Sequence, residues 1–206
     1  MDREAPTGNT PVLVTERLTL RPLSEADAED LRRISNEPDV RRYLWDDEPV
    51  SGATIRDLVA RSRSMFSEEN IGLFGVRVGG GEDLLGFCGF VRLGGMDEPE
   101  LGYMLTRGAW GRGFATEAAE VCLRYAFDRA GLERVIAGAD APNAASMRVI
   151  EKLGMRSVGN INAGAPDEPY FALYRKDFLA RAQGTHPGRS AGGRGAGGRR
   201  EHPRGR

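Results

Sequence analysis

Gly111-Arg112-Gly113-Phe114-Ala115-Thr116-Glu117-Ala118 stands between an alternating apolar segment that ends at Leu105 and a long amphipathic segment that begins at Phe114. Glycines at a strand-to-helix turn let backbone N–H groups converge on one point, and the start of a helix adds unsatisfied donors and partial positive charge. The stretch therefore reads as a cradle for a phosphate, or else as a tight turn that needs glycine for its backbone alone. It carries neither the G-x-G-x-x-G of dinucleotide sites nor the G-K-[ST] ending of a P-loop, which disfavours NAD and ATP. Arg112 either lends a charge to the phosphates or is simply solvated. At Gly113 a side chain is expected to stand in the space through which an anion reaches the amides.

Outward from this turn, the chain alternates strand and helix signals over residues 12–182. Leu18 to Arg21 has period two, and Ser24 followed by Asp27 opens a helix whose apolar face holds Ala28, Leu31 and Ile34. A second helix is expected from Thr54 to Phe66. Strands follow at Gly72 to Val78, Leu84 to Leu93 and Glu100 to Leu105, separated by turn compositions rich in glycine, which predicts an antiparallel meander. Beyond the cradle a helix runs from Phe114 to Arg129, then a strand from Arg134 to Ala139. Asn143 caps a short helix that Gly154 ends, and strands close the domain at Met155 to Val158 and Tyr170 to Tyr174. The order predicts an α/β (α+β) domain, a mixed sheet with helices packed on it.

Composition narrows the function. With 206 residues, 40% hydrophobic and 29% charged, the chain makes one domain with a full core. No apolar run is long enough to span a bilayer and the first residues lack a secretory pattern, so a cytoplasmic protein with no membrane partner is expected. Cys88 and Cys122 sit in apolar stretches and read as core residues. Both histidines, His186 and His202, lie in the last 24 residues. The folded part thus has no imidazole for a triad or a zinc site, and no metal is expected. Residues 183–206 contain eight glycines, six arginines and one glutamate, a disordered basic tail by composition, while residues 1–11 read as a flexible N-terminus. Lacking aromatics, the tail gives little reason to expect nucleic acid, although it is the one segment through which RNA would bind.

The run ELGYMLTRGAWGRGFATEAAEVCLRYAF, with NAASMRVIEKLGM after it and TERLTLRPL near the start, resembles the RimJ/RimL-like branch of the GNAT N-acetyltransferases over about residues 12–178. The resemblance implies a mostly antiparallel central sheet in which two parallel strands splay apart and acetyl-CoA, the cosubstrate, lies in the gap. It implies that backbone N–H groups of Gly111, Arg112, Gly113, Phe114 and Ala115 hold the pyrophosphate with Thr116 nearby, and that the pantetheine arm pairs along Met104 and Leu105. One departure is Gly108, where the superfamily has Gln or Arg, with Arg107 one place earlier.

Acetyl transfer to an amine needs a proton acceptor, a donor for the oxyanion and a stabilised leaving thiol. Without an imidazole the acceptor is expected to be a carboxylate acting through water. Glu100, where the family carries a similar acid, is the candidate base, with Glu98 and Asp97 as substitutes, and a backbone N–H near Leu105 is the expected oxyanion donor. The tyrosine that many members place after the cap asparagine is Ile150 here. Ser146, the third residue after Asn143, is then the candidate partner of the sulfur, and Asn143 caps the helix and contacts the pantetheine. The acceptor, a protein N-terminal amine or a small-molecule amine, is expected to meet Tyr43-Leu44-Trp45-Asp46-Asp47-Glu48 and the loop from Gly159 to Glu168. The competing readings are a silent acyl-CoA-binding module and an RNA-associated protein working through its tail. The protein is expected to be a monomer or a homodimer.

Overall fold

The computed structural model describes residues 11–45, 47–92, 98–139, 142–161 and 169–182. The expected flexible N-terminus apart from Pro11, the basic tail, Asp46, Leu93, Asp97 and most of the acceptor-side loop, residues 162–168, lie outside them. The chain forms β1 (Leu13–Val14), β2 (Leu18–Pro22), α1 (Ala28–Ser35), α2 (Pro38–Arg41), α3 (Gly52–Glu69) and the meander β3 (Leu73–Val78), β4 (Leu84–Val91) and β5 (Glu100–Leu105). There follow α4 (Phe114–Asp128), β6 (Arg134–Gly138), α5 (Ala144–Leu153), β7 (Arg156–Gly159), β8 (Tyr170–Tyr174) and α6 (Arg175–Ala182). The strands join in one sheet of order β1-β2-β3-β4-β5-β6-β8-β7, antiparallel throughout except for β5 beside β6.

The expected caps set the helices. Ser24 donates from its N–H and its hydroxyl to the Asp27 carboxylate, at 2.8 and 2.9 Å, and a short 3-10 turn feeds into α1. The hydroxyl oxygen of Ser51 accepts from the Thr54 N–H at 3.1 Å, so α3 begins two residues before the expected Thr54. Asn143 caps α5, and Gly154 ends it in the left-handed conformation at φ 73°. The two-residue β1, the single turn α2 with Pro38 in its first turn, and α6 had no periodic signal long enough to be read.

Alternation along the meander sorts its side chains onto two faces. Phe74, Val76, Cys88, Phe90, Leu101 and Leu105 pack with α4 and α5, whose Ala118, Ala119, Cys122 and Ala126 are buried and let α4 lie close on the sheet. Leu73, Leu84, Phe87 and Met104 pack on the other face with Leu31, Ile34, Ile55 and Val59 of α1 and α3. Helices thus cover both faces of the central strands. Cys88 and Cys122 are free buried thiols, as core residues. Among the described residues no helix is long and apolar enough to cross a membrane.

Candidate active site

The parallel pair β5 and β6 touches at a single register position, Glu100 beside Ile136. There the Ile136 N–H donates to the Pro99 carbonyl at 3.2 Å. Beyond that point the strands part. A continued parallel ladder would give the next inward N–H of β6, that of Gly138, a carbonyl of β5. It donates instead to Glu100 Oε1 at 3.2 Å. Glu100 is 6% exposed, so its carboxylate is buried at the head of the opening and is not a solvated strand end. Its substitute Glu98 is spoken for: it is ion-paired with Arg134 and stands outside the opening.

The opening is a cavity of about 490 Å³. Of the expected site residues, it brings together Glu100, Met104, Leu105, Gly111, Gly113, Phe114, Ala115, Thr116, Asn143 and Ser146. One edge is the free side of β5. The Thr106 N–H donates to Leu85 across the antiparallel ladder, so by the alternation of strand amides the N–H and C=O of Met104 also face β4. Tyr103 and Leu105 turn theirs toward the opening. The pairing edge is therefore Tyr103 and Leu105, which corrects the expectation for Met104; that residue lines the cavity but turns its amide to β4. The Leu105 carbonyl already accepts from Trp110 Nε1 at 2.7 Å.

The far end of the cavity is the Gly111 to Thr116 turn. Gly111 and Gly113 have φ of 73° and 81°, and the second is the N-cap of α4, so the first-turn amides of that helix have no carbonyl one turn earlier to bond. These residues fit an anionic pyrophosphate. Within the protein itself a Cβ at Gly113 would meet only ordinary contact, 3.5 Å from Arg17 Nη2, so no clash with the chain requires glycine there. Glycine is needed for its left-handed backbone instead. Arg112 does not line the cavity. Its guanidinium lies 4.5 Å from the centre of the Phe114 ring.

On the opposite wall, Asn143 Oδ1 accepts the Ser146 N–H at 3.1 Å, and the Ser146 carbonyl accepts from the Tyr103 hydroxyl at 3.4 Å. Burial pushes the Tyr103 phenol up to about 12, so it stays a neutral donor at physiological pH. Sequence reasoning missed Tyr103, although its position three residues after Glu100 was in plain view; the missing tyrosine was sought on α5, where Ile150 is instead buried in the core. Asp39 was missed as well. Of the expected acceptor segment, Tyr43 and Leu44 line the cavity beside Asp39, while Asp47 is bound to Arg41 at 3.0 Å. Among the described residues no three His, Cys, Asp or Glu side chains group as a metal site.

A family model described as acetyltransferase (GNAT) domain matches residues 17–156. An uncharacterized N-acetyltransferase of Bacillus licheniformis, p20, is 30% identical over 148 residues, 71% of this chain and 83% of that protein. The uncharacterized protein YkkB of Bacillus subtilis is 35% identical over 151 residues, 69% of this chain and 84% of the relative. The crystal structure of an acetyltransferase from Agrobacterium tumefaciens superposes with a TM-score of 0.72 at 25% identity, covering 84% of this chain and 99% of that one. Strands that part at Glu100, a helix N-terminus at the far end of the gap and a family match across both place the chain: it belongs to the GNAT acetyltransferase family and is an acetyltransferase.

Proposed function

We propose that this enzyme, a RimJ/RimL-like member of its family, transfers the acetyl group of acetyl-CoA to a primary amine by direct attack within a ternary complex. The observation that carries the reading is the cavity itself, with free strand amides along one edge, the start of α4 at one end and a buried carboxylate at the other. When bound, acetyl-CoA supplies the activated thioester. The amides of Gly111 to Ala115 with Thr116 hold its pyrophosphate, and Tyr103 and Leu105 pair with its pantetheine arm as an added strand would. The Leu105 N–H meets the oxygen on which charge develops. Glu100 takes the amine proton through water. The Ser146 hydroxyl hydrogen-bonds the departing sulfur, which needs little help because a thiol of ordinary pKa about 8.5 is already a fair leaving group. Asn143 holds Ser146 in place and reaches the pantetheine amide.

The acceptor, a protein N-terminal amine or a small-molecule amine, enters past Asp39, Tyr43 and Leu44. Asp39 is already bonded to Arg107 at 3.1 Å, so its charge does not by itself select the acceptor. Calorimetry with acetyl-CoA in the presence of EDTA tests the first half of this reading, and binding is expected. Detection of free CoA across a panel of peptides, polyamines, amino acids and aminoglycosides tests the second; binding with no turnover on any amine makes the chain a silent acyl-CoA-binding module.

A further inference from the structure

Beside the Gly111 to Thr116 turn, and not among the residues that line the cavity, stands a side chain from the other end of the sequence. Arg17, in the turn between β1 and β2, donates from Nε to Glu117 Oε2 at 2.7 Å and from its own backbone N–H to Glu117 Oε1 at 3.1 Å. Thr15 donates its hydroxyl to the same carboxylate. The third guanidinium nitrogen, Nη1, donates to the carbonyl of Arg112 at 2.9 Å. The guanidinium carbon also lies 4.8 Å from the centre of the Phe114 ring, so that ring has an arginine, 17 or 112, within contact of it twice over. Burial alone would raise the Glu117 carboxyl, but the bonds from Thr15 and Arg17 outweigh it and hold the group below its ordinary range.

The Arg112 carbonyl and the Gly113 N–H belong to one planar trans peptide, in which they point to opposite sides. A donor fixed on the carbonyl therefore fixes the direction of the amide. Arg17 is not part of the cavity lining, and Gly113 lines the cavity where Arg112 does not. Held outward by Arg17, the Arg112 carbonyl turns the Gly113 N–H inward. Without that hold, the peptide is free to flip, since glycine at 113 offers little resistance, and a flip would place a carbonyl oxygen where an anion must sit.

We propose that Arg17 is a positioning residue of the pyrophosphate site: it sets the Arg112–Gly113 peptide so that the amide faces the ligand, and Glu117 with Thr15 holds it there. The inference rests on the acetyl-CoA reading above. Arg17 is not offered as a phosphate ligand, because Glu117 matches its charge and the residue is not among those lining the cavity.

The test compares CoA with pantetheine, which lacks the pyrophosphate and the nucleoside, by calorimetry and by competition. Arg17→Lys keeps the charge but cannot reach the carboxylate and the carbonyl with one fixed fork. CoA affinity is expected to fall about tenfold, a loss of about 1.4 kcal/mol, while pantetheine affinity stays within about twofold. Glu117→Ala, at a side chain 19% exposed in the first turn of α4, is expected to do the same from the other side and serves if Arg17→Lys does not fold. In the ligand-free protein, the Gly113 amide resonance is expected to shift in both as its peptide loses its fixed direction. Unchanged CoA affinity overturns the proposal. So does an equal loss for CoA and pantetheine, which would mean collapse of the whole cavity. Wild-type protein that binds no CoA refutes the cofactor reading instead.

Discussion

The carboxylate of Glu100 and the amide of Gly138 are joined at 3.2 Å across the point where β5 and β6 separate. The side chain proposed as the base therefore also closes the head of the gap. Two substitutions separate these duties. Glu100→Gln keeps an oxygen for Gly138 but cannot take a proton, so kcat is expected to fall by about tenfold to a thousandfold, with a flattened acidic limb and little change in acetyl-CoA affinity. Glu100→Ala is expected to lose some thermal stability as well, because the partly buried Gly138 N–H loses its acceptor. Near wild-type turnover in Glu100→Gln across pH moves the base elsewhere, and the Glu98 ion pair with Arg134 makes that residue a poor replacement.

Ser146→Ala leaves the backbone N–H that Asn143 caps, so α5 is expected to keep its stability and acetyl-CoA its affinity. Removal of the hydroxyl is expected to lower kcat by about tenfold or more and to keep the acidic limb that Glu100→Gln loses. A stopped kinetic effect in both variants together, with no further loss in the double, would show that they serve one step.

Gly113→Val forces a β-branched residue toward a left-handed backbone, at about 1–2 kcal/mol, and is expected to cost at least about tenfold in acetyl-CoA affinity. Asparagine tolerates that conformation better, so Gly113→Asn is expected to bind more tightly than Gly113→Val. If the two bind equally badly, bulk decides at this position and not φ. If Gly113→Val binds as wild type does, the pyrophosphate lies elsewhere.

Tyr103 carries a pH signature. Its phenol is raised from the ordinary 10 to about 12 by burial, so between those values the unfolded chain releases a proton that the folded chain keeps. Its contribution to stability is complete below pH 10 and is lost as pH rises to 12. Urea unfolding at pH 9 and pH 11 is expected to show a smaller alkaline loss in Tyr103→Phe than in wild type. Tyr125, raised by burial too, sets part of the remaining slope.

Local signals carried most of the fold. The caps at Ser24 and Asn143, the glycine stop at Gly154 and the alternation of β2 to β5 are short-range rules, and the chain obeys them to within a residue or two. What stayed hidden was contact between distant parts. Nothing in the stretch around Arg17 says that its guanidinium meets a carbonyl 95 residues away, and nothing around Glu98 announces Arg134. Periodicity put Met104 and Leu105 on one strand, but which of them offers its amide to the gap depends on the register against β4. Tyr103 was passed over for the same reason: its approach to Ser146 exists only once β5 and α5 are brought together.

The alternation along β5 makes this segment unforgiving of changes in length. Deleting or inserting one residue between Glu100 and Leu105 would exchange the facing of every amide downstream of the change and send the buried acid, or the donors opposite it, to the wrong side of the sheet. Two residues would restore the facing but slide one end of the gap past the other by about 7 Å, farther than any side chain here could follow. Along these six positions the enzyme is thus expected to accept substitution but no change of length, and insertions are expected to be tolerated only in the loops on either side.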